Sequence, residues 1–282
     1  MKIYAMLNPT TENLETFMNK GTYKTPYLNI RSVKLFADGA LGSRGACLLE
    51  PYSDDADNYG IIMNKESYYR EICEQAYKKR YQINTHVIGD SAMRMMLNIY
   101  STYLKSTNDL RWRIEHAQVV SPVDLSKFAT YSIIPAVNTV HATSDMYWAE
   151  KRLGPNRIKY AYAYKDLLTQ NGWLCNGSDF PVEKTNPLLG FYAAVSRKDL
   201  QQFPENGFQK ENALTRKEAL KAMTIWAAKS FFEENEKGSI EPGKYADMVV
   251  TDQDIMTVEE NKIPTTKITM TFINGQLVYS VK

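Results

Sequence analysis

The chain has 282 residues, of which 44% are hydrophobic and 23% are charged, and its formal net charge is +2. These values are typical of a globular protein with one domain, or one and a fraction, and they exclude a disordered or fibrous chain. The basic residues are spread along the sequence, and the densest group, residues 78–80, ends a helical pattern, so nucleic acid is not an expected partner.

Short apolar, β-branched runs alternate with longer segments of helical periodicity over most of the chain. The runs predict strands at Ile3–Leu7, Val33–Phe36, Ile83–Val87, Trp112–Glu115, Ile133–Val137 and Trp173–Asn176. The longer segments predict helices at Thr11–Asn19, Lys65–Lys79, Ser91–Lys105, Pro122–Ala129, Arg157–Gln170, Pro187–Lys198 and Arg216–Glu234. Because parallel strands need a crossover connection, this alternation predicts an α/β fold, either an open doubly wound sheet or a (β/α)8 barrel.

The pattern changes after the last of these helices. Short β-rich runs predict strands at Ala246–Thr251, Thr266–Phe272 and Gln276–Val281. The pair Asn274-Gly275 between the last two is typical of a hairpin turn. We therefore divide the chain into a barrel-like domain, residues 1–236, and a small β module, residues 237–282.

The cysteines and the apolar segments indicate the cellular compartment in which the protein is expected. Cys47, Cys73 and Cys175 are odd in number, widely spaced and without a C-x-x-C, so neither a disulfide framework nor a structural zinc site is indicated. The N-terminus lacks the pattern of a signal peptide, and no segment approaches the roughly 18 apolar residues of a membrane span. We expect a cytoplasmic protein without a membrane partner.

Residues capable of metal chemistry follow the predicted strands. Lys34 lies in the second strand and His86 near the end of the third, while His116 follows the fourth and Asp179 follows the sixth. In a barrel the carboxyl ends of the strands meet at one mouth, whereas in an open sheet they spread along an edge. Imidazole nitrogens suit zinc, and a carboxylate ligates such a metal or acts as its base.

Each of these residues also has a plainer interpretation. An isolated histidine is often a hydrogen-bonded core residue, although two histidines at consecutive strand ends, with an aspartate after a third strand, favour a hydrolytic metal site. Lys34 is either a cation paired with Asp38 or Glu115, or a carbamylated lysine that bridges two metals. The residues alone leave both alternatives open.

Six motifs in chain order resemble the amidohydrolase superfamily, in the branch of metal-dependent hydrolases that includes N-substituted formamide deformylase. They are VKLFADGALGSRGACLLEPY, THVIGDSAM, RIEHAQ, HATSDMYWAEKRLG, NGSDFPVEKTNPLLGFYAAVSR and GSIEPGKYADMVV. The resemblance implies a distorted TIM barrel followed by a small β-sandwich, with a metal centre at the barrel mouth. It implies that Lys34 is the bridging ligand of the fourth barrel strand and Asp179 the aspartate of the eighth. His86 and His116 would be the ligands of the fifth and sixth strands.

The resemblance also implies roles in substrate binding and catalysis. His141 lies in a segment similar to a family motif that lines the substrate pocket, or alternatively is a histidine of a surface loop. Ser43 and Arg44, in the loop DGALGSRGA, are candidates to hold a polar group of the substrate, or belong to a tight turn. The metal would lower the pKa of a bound water to about 7, and Asp179 would move the proton to the leaving nitrogen of an amide-type substrate. A serine hydrolase is disfavoured because no G-x-S-x-G occurs.

The start of the chain departs from the family pattern. No H-x-H pair occurs, although members carry one on the first barrel strand, and MKIYAML resembles the third strand. We therefore expect an incomplete (β/α)8 barrel of strands 3 to 8 and an impaired hydrolase of amide or other C–N bonds. An intact relative would hold one or two divalent ions, zinc by resemblance, and partial occupancy is expected here. Exposed barrel edges predict self-association. The alternative is a noncatalytic fragment that folds and associates.

Overall fold

The computed structural model describes residues 2–281 and has a mixed α/β architecture. The chain divides into two compact units that alternate in sequence. The first comprises the residues up to Val137 together with Asp145–Gly172, and the second comprises Asn138–Ser144 together with the residues from Trp173 onward. The division into residues 1–236 and 237–282 stays a prediction.

The elements follow one another in the order that the sequence pattern predicts, with additions. The strands are β1 (Ile3–Leu7), β2 (Tyr23–Lys24), β3 (Leu28–Phe36), β4 (Gln82–Val87), β5 (Arg113–His116), β6 (Ile134–Val137), β7 (Cys175–Asn176), β8 (Met248–Thr251), β9 (Ile268–Ile273) and β10 (Gln276–Ser280). The α-helices are α1 (Thr11–Thr16), α2 (Glu66–Lys79), α3 (Asp90–Leu104), α4 (Pro122–Thr130), α5 (Thr139–Asp145), α6 (Ala149–Arg157), α7 (Tyr164–Asn171), α8 (Pro187–Ser196), α9 (Arg216–Met223) and α10 (Ile225–Ser230).

The sheet of the first unit is parallel apart from one short strand. Its order is β1-β3-β4-β5-β6, and β2 pairs antiparallel with β3. The first five strands predicted from the sequence are all present in it. The prediction of an α/β fold with parallel strands is therefore confirmed for this unit.

One face of this sheet is apolar and packs under helix α3. Val33, Leu35 and Ile83 are buried and, by alternation and register, lie on that face. Thr85 shares the face, and its hydroxyl lies 2.7 Å from the Tyr100 hydroxyl of α3. Burial of this face beneath the helix provides the hydrophobic contribution to the stability of the unit.

The opposite face of strands β3, β4 and β5 is mainly polar, and we call it the polar face. It comprises Lys34, Phe36, Asn84, His86, Arg113 and Glu115, which alternate along the three strands and pair in register. The Arg113 side chain is 2% exposed, and its Nε donates to Glu115 Oε1 at 2.7 Å. Loss of the carboxylate would leave a desolvated cation, which is costly in a protein interior.

Helix α3 begins against the carbonyl of Cys47. The backbone N–H groups of Ser91 and Ala92 donate to this oxygen at 3.0 and 3.3 Å, so it accepts from groups that have no partner within the helix. The approach leaves no room for a side chain at Gly89, because a Cβ there would lie 2.1 Å from the Cys47 oxygen. The glycine in THVIGD is therefore a steric requirement of the helix start.

The second unit combines helices with a small antiparallel sheet in the order β10-β9-β8. Helix α9 begins with a capping box, in which Thr215 and Glu218 each accept from the other's backbone N–H. Asn274 and Gly275 link β9 to β10 with φ angles of 52° and 77°. Two positive φ angles are those of the tight turn that Asn-Gly favours, so the predicted hairpin is confirmed.

Two predicted helices are interrupted in the structure. The segment predicted as one helix from Arg157 to Gln170 leaves the helical path before α7, because Tyr162 has a φ of 56° and its N–H donates to the Gln118 carbonyl. The segment from Arg216 to Glu234 is divided at Thr224, whose backbone is not helical. In both places the helix is interrupted at a residue with non-helical backbone angles, although the apolar periodicity continues through it.

Among residues 2–281, no helix is both long and apolar enough to cross a membrane.

We predict that Gly89→Ala lowers the free energy of unfolding by about 3 kcal/mol, because the new Cβ must displace the Cys47 carbonyl from helix α3. Urea denaturation followed by circular dichroism measures the change. Gly177→Ala is the matched control, since a Cβ at that position meets its nearest atom at 3.9 Å. Equal unfolding midpoints for the two variants would contradict the steric argument.

We predict that Glu115→Gln lowers the free energy of unfolding by about 2 kcal/mol, because the buried Arg113 guanidinium loses its charged acceptor. The control is Glu66→Gln, which makes the same change in an exposed pair with Arg70 and should cost less than about 0.5 kcal/mol. Denaturation of both variants in urea compares the two costs. The buried-pair argument is wrong if Glu115→Gln unfolds at the same urea concentration as Glu66→Gln.

Candidate metal centre

Two imidazoles lie side by side at the carboxyl ends of adjacent strands in the first unit. His86 lies near the end of β4 and His116 ends β5, and their ring centroids are 4.5 Å apart with the planes at 72°. His116 has a φ of 71°, so the backbone turns at the residue that carries the ring. His116 is buried and the His86 side chain is 15% exposed. The structure therefore brings together two nitrogen donors of the type that zinc binds.

Lys34 lies on the neighbouring strand β3. Its Nζ is 5.0 Å from the centroid of the Phe36 ring, and that ring is 5.6 Å from the imidazole of His86. Lys34 and His86 are thus both neighbours of one aromatic ring on the polar face. The role of Lys34 as a metal ligand stays a prediction, as do those of His86 and His116.

Asp38 is a buried carboxylate next to His86. Its two oxygens accept the backbone N–H groups of Cys47, Ile88 and Gly89 at 2.9, 3.0 and 2.7 Å. Asp38 Oδ1 is 3.9 Å from His86 Nε2. Burial raises the pKa of Asp38 to about 7, although the three N–H donors act in the opposite direction.

The sequence interpretation treated Asp38 only as a partner for Lys34. It missed the place of this carboxylate beside a candidate metal ligand. The residue order Asp-Gly directly after a buried strand is the one local signal for it, and that signal also fits an ordinary turn.

Ser43 and Arg44 of the candidate substrate-binding loop contact nearby parts of the same unit. The Ser43 hydroxyl donates to the Ala40 carbonyl at 3.2 Å, and Arg44 makes a two-pronged contact with Asp54 at 3.1 and 3.0 Å. The Asp54 contact raises the pKa of Arg44, and the two guanidinium groups of Arg44 and Arg152 lower the pKa of Asp54. These contacts fit the alternative of an ordered turn, and a role of Ser43 and Arg44 in substrate binding stays a prediction.

The second unit contains the other two candidate residues, His141 and Asp179. His141 is buried in helix α5, so the alternative of a surface-loop histidine is wrong. Its Nε2 is 3.7 Å from Oδ2 of Asp179, whose side chain is 37% exposed. Asp179 has a φ of 60°, which turns the chain shortly after β7. The unit thus pairs an imidazole with a carboxylate.

Hydrogen bonds hold the segments that carry His141 and Asp179. The Thr139 N–H donates to Asn176 Oδ1 at 3.0 Å, and Asn176 Nδ2 donates to the Thr139 hydroxyl at 2.9 Å. The same hydroxyl donates to the Gly190 carbonyl at 2.7 Å. The start of α5 is therefore tied to strand β7, three residues before Asp179, and to helix α8.

The donor types in the two units fit a divalent metal. Two imidazoles in the first unit, and an imidazole with a carboxylate in the second, are ligands that zinc and similar ions take in hydrolases. The prediction that Lys34, His86, His116 and Asp179 share one site stays a prediction.

Comparison with known proteins supports the resemblance found in the motifs. The model of the amidohydrolase family matches residues 3–279. YtcJ of Bacillus subtilis (strain 168) is 33% identical over 254 residues, which cover 90% of this chain and 48% of YtcJ. N-substituted formamide deformylase of Arthrobacter pascens is 24% identical over 255 residues, which cover 88% of this chain and 45% of that protein.

A solved structure is similar over nearly the whole chain. It is that of an uncharacterized metal-dependent hydrolase from Pyrococcus horikoshii OT3, with a TM-score of 0.82 and 30% sequence identity, and the match covers 92% of this chain and 52% of that one. The chain thus spans about half the length of the relatives it matches. The family match over residues 3–279 confirms the assignment from the motifs, and this chain belongs to the amidohydrolase family.

Proposed function

We propose that this chain acts as a metal-dependent hydrolase on amides or other C–N bonds outside peptides. The observation that carries the proposal is the pair of imidazoles, His86 and His116, at the ends of adjacent parallel strands in a chain of the amidohydrolase family. The metal dependence of the P. horikoshii relative and the name of the A. pascens deformylase support the reaction class. As part of the proposal, strands β1 and β3 to β7 correspond to strands 3 to 8 of a (β/α)8 barrel.

The proposed ligands are Lys34, His86, His116 and Asp179, and the proposed ion is zinc. In this proposal Lys34 ligates in a carboxylated form, since an ammonium has no lone pair to offer. When bound, such an ion supplies Lewis-acid activation of water near neutral pH. The imidazoles contribute neutral donors that are fixed by the ends of their strands.

The chain's own residues would carry the proton and the substrate. Asp179 is the proposed base, which takes a proton from the attacking water and returns it to the leaving nitrogen. His141, 3.7 Å from Asp179, is placed to orient that carboxylate and to line the substrate pocket. Ser43 and Arg44 are the proposed contacts for a polar group of the substrate.

A second candidate follows from the absence of an H-x-H pair in the sequence. In it the chain folds and self-associates without catalysis. The two candidates differ in amine release from N-acyl substrates, whereas metal binding alone is compatible with both.

We predict that His86→Gln and His116→Gln each weaken Zn²⁺ binding by about tenfold or more, because each removes a nitrogen donor. Competition with a chromophoric chelator measures the affinity of the purified chain. The control is Thr85→Val, which alters the opposite face of strand β4 and should bind zinc as the unmodified chain does. If both histidine variants retain the original affinity, the imidazole pair is not the metal site.

We predict that Asp179→Asn lowers the rate of amine release from N-formyl and N-acetyl amines by about 100-fold or more, because an amide cannot accept the proton of the attacking water. A fluorogenic amine assay follows the reaction with zinc present. The control is Glu205→Gln, an exposed position of the second unit outside the proposed machinery. If the unmodified chain releases no amine from any substrate in the panel, the noncatalytic candidate stands.

A further inference from the structure

A short turn in the second unit exposes three consecutive apolar residues to solvent. They are Phe180, Pro181 and Val182, which directly follow Asp179. Phe180 is 64% exposed and Val182 is 70% exposed. Turns are usually built from glycine, proline, asparagine, aspartate and serine, so phenylalanine and valine are unusual there. An exposed run of apolar residues is unfavourable in water and is typical of a binding surface.

Hydrogen bonds hold this turn beside Asp179. The Val182 N–H donates to the Asp179 carbonyl at 2.8 Å, which closes a four-residue turn. The Cα atoms at the two ends of such a turn lie less than about 7 Å apart. The Phe180 N–H donates to the Ser178 hydroxyl at 3.3 Å, so the start of the turn is tied as well. Phe180 and Val182 are therefore fixed neighbours of Asp179.

The residue after the turn connects it to helix α5. The Ser144 hydroxyl of this helix donates to Glu183 Oε1 at 2.7 Å. The same helix carries His141, whose Nε2 is 3.7 Å from Asp179 Oδ2. The apolar turn, the carboxylate and the imidazole thus belong to one connected arrangement within the second unit.

The proposed reaction brings the nitrogen of the substrate to Asp179. Hydrolysis transfers the hydroxyl of water to the carbonyl carbon, breaks the C–N bond and protonates the nitrogen, so that a carboxylic acid and an amine are released. A group that returns the proton lies within about 3 Å of the nitrogen, or reaches it through one water. The substituent on this nitrogen therefore begins close to Asp179, where the turn supplies its apolar side chains.

We infer that Phe180 and Val182 are specificity-determining residues that contact an apolar substituent on the amide nitrogen of the substrate. The inference rests on the proposed function for the placement of this nitrogen beside Asp179. It gives the substrate class as amides of alkyl or aryl amines, in preference to amides of charged amines. Such a substituent would cover apolar surface that the turn otherwise exposes to water.

Formate release by the full chain from a series of N-alkylformamides, with zinc present, tests the inference. Full burial of a methylene group corresponds to about a fourfold gain, and contact with an open turn should give about half of that. We therefore expect kcat/KM to rise by about 10- to 20-fold from N-methylformamide to N-pentylformamide. N-(2-aminoethyl)formamide, the charged counterpart of N-propylformamide, should be the poorer substrate of the two.

The variant Phe180→Ala should reduce the gain along the series to about threefold, because most of the apolar contact is lost. Phe180→Leu should retain most of the gain, and Val182→Thr should lie between these two variants. The matched control is Phe203→Ala, since Phe203 is a 54% exposed phenylalanine that also precedes a proline in the second unit. The control should show the full gain of the unmodified chain.

Saturation-transfer NMR with the metal-free chain and N-pentylformamide provides a measurement that needs no catalysis. We expect more saturation on the alkyl protons than on the formyl proton, and loss of this difference in Phe180→Ala but not in Phe203→Ala. If the chain shows this contact but hydrolyses no formamide, the proposed function is refuted and the assignment of the apolar contact remains.

Equal kcat/KM values along the series in a chain that does hydrolyse formamides would overturn the inference and leave the proposed function intact. Equal effects of Phe180→Ala and Phe203→Ala on the gain would also overturn it. Light scattering of the same variants covers a protein partner. If Phe180→Ala separates an oligomer and leaves the gain unchanged, the turn contacts a second copy of the chain and the substrate assignment is wrong.

Discussion

The carboxylate of Asp38 is the interaction on which the end of the first unit's sheet depends. A single buried side chain joins the loop after β3, through Cys47, to the loop after β4, through Ile88 and Gly89. Beyond the ends of the parallel strands, the backbone N–H groups of the following loops no longer pair within the sheet. These N–H groups therefore need acceptors from elsewhere. Asp38 supplies them, and in doing so it fixes the strand end that carries His86.

The absence of a side chain at Gly89 is a second part of the same arrangement. The Cys47 carbonyl reaches the first turn of α3 only because nothing projects from that glycine. The carboxylate and the glycine therefore act together: one binds the two loops, and the other lets them approach. The side chains that would bind a metal in this unit are therefore positioned by backbone contacts of their loops as well as by their own packing.

Much of the fold could be predicted from apolar periodicity, because strands β3 to β6 bury most of their apolar side chains. Strand β2 has only two residues, which is too short for an alternating pattern to be recognised. Helix α5 was missed because it has only seven residues, three of which are threonine or serine, and these favour helix ends. The Tyr162 N–H leaves the helical pattern to donate to the carbonyl of Gln118, 44 positions earlier, and a local sequence window cannot reveal such a partner.

The candidate residues were predictable as chemical types, and their surroundings were not. His86 and His116 could be selected because the chain has only three histidines and two of them lie at the ends of consecutive predicted strands. The carboxylate beside His86 could not, since its role depends on a loop that folds back from residue 47. Burial of His141 likewise depends on a helix that the sequence pattern did not predict.

The division of the chain into two units has a consequence for synthesis. Because residues 138–144 belong to the second unit and residues 145–172 return to the first, the polypeptide passes between the units three times. A ribosome therefore cannot release a finished first unit when strand β6 emerges. The nascent chain must grow past residue 172 before all parts of the first unit have been made. The segment that carries His141 belongs to the second unit, most of which is translated later. The order of translation therefore does not match the order in which the parts of each unit come together.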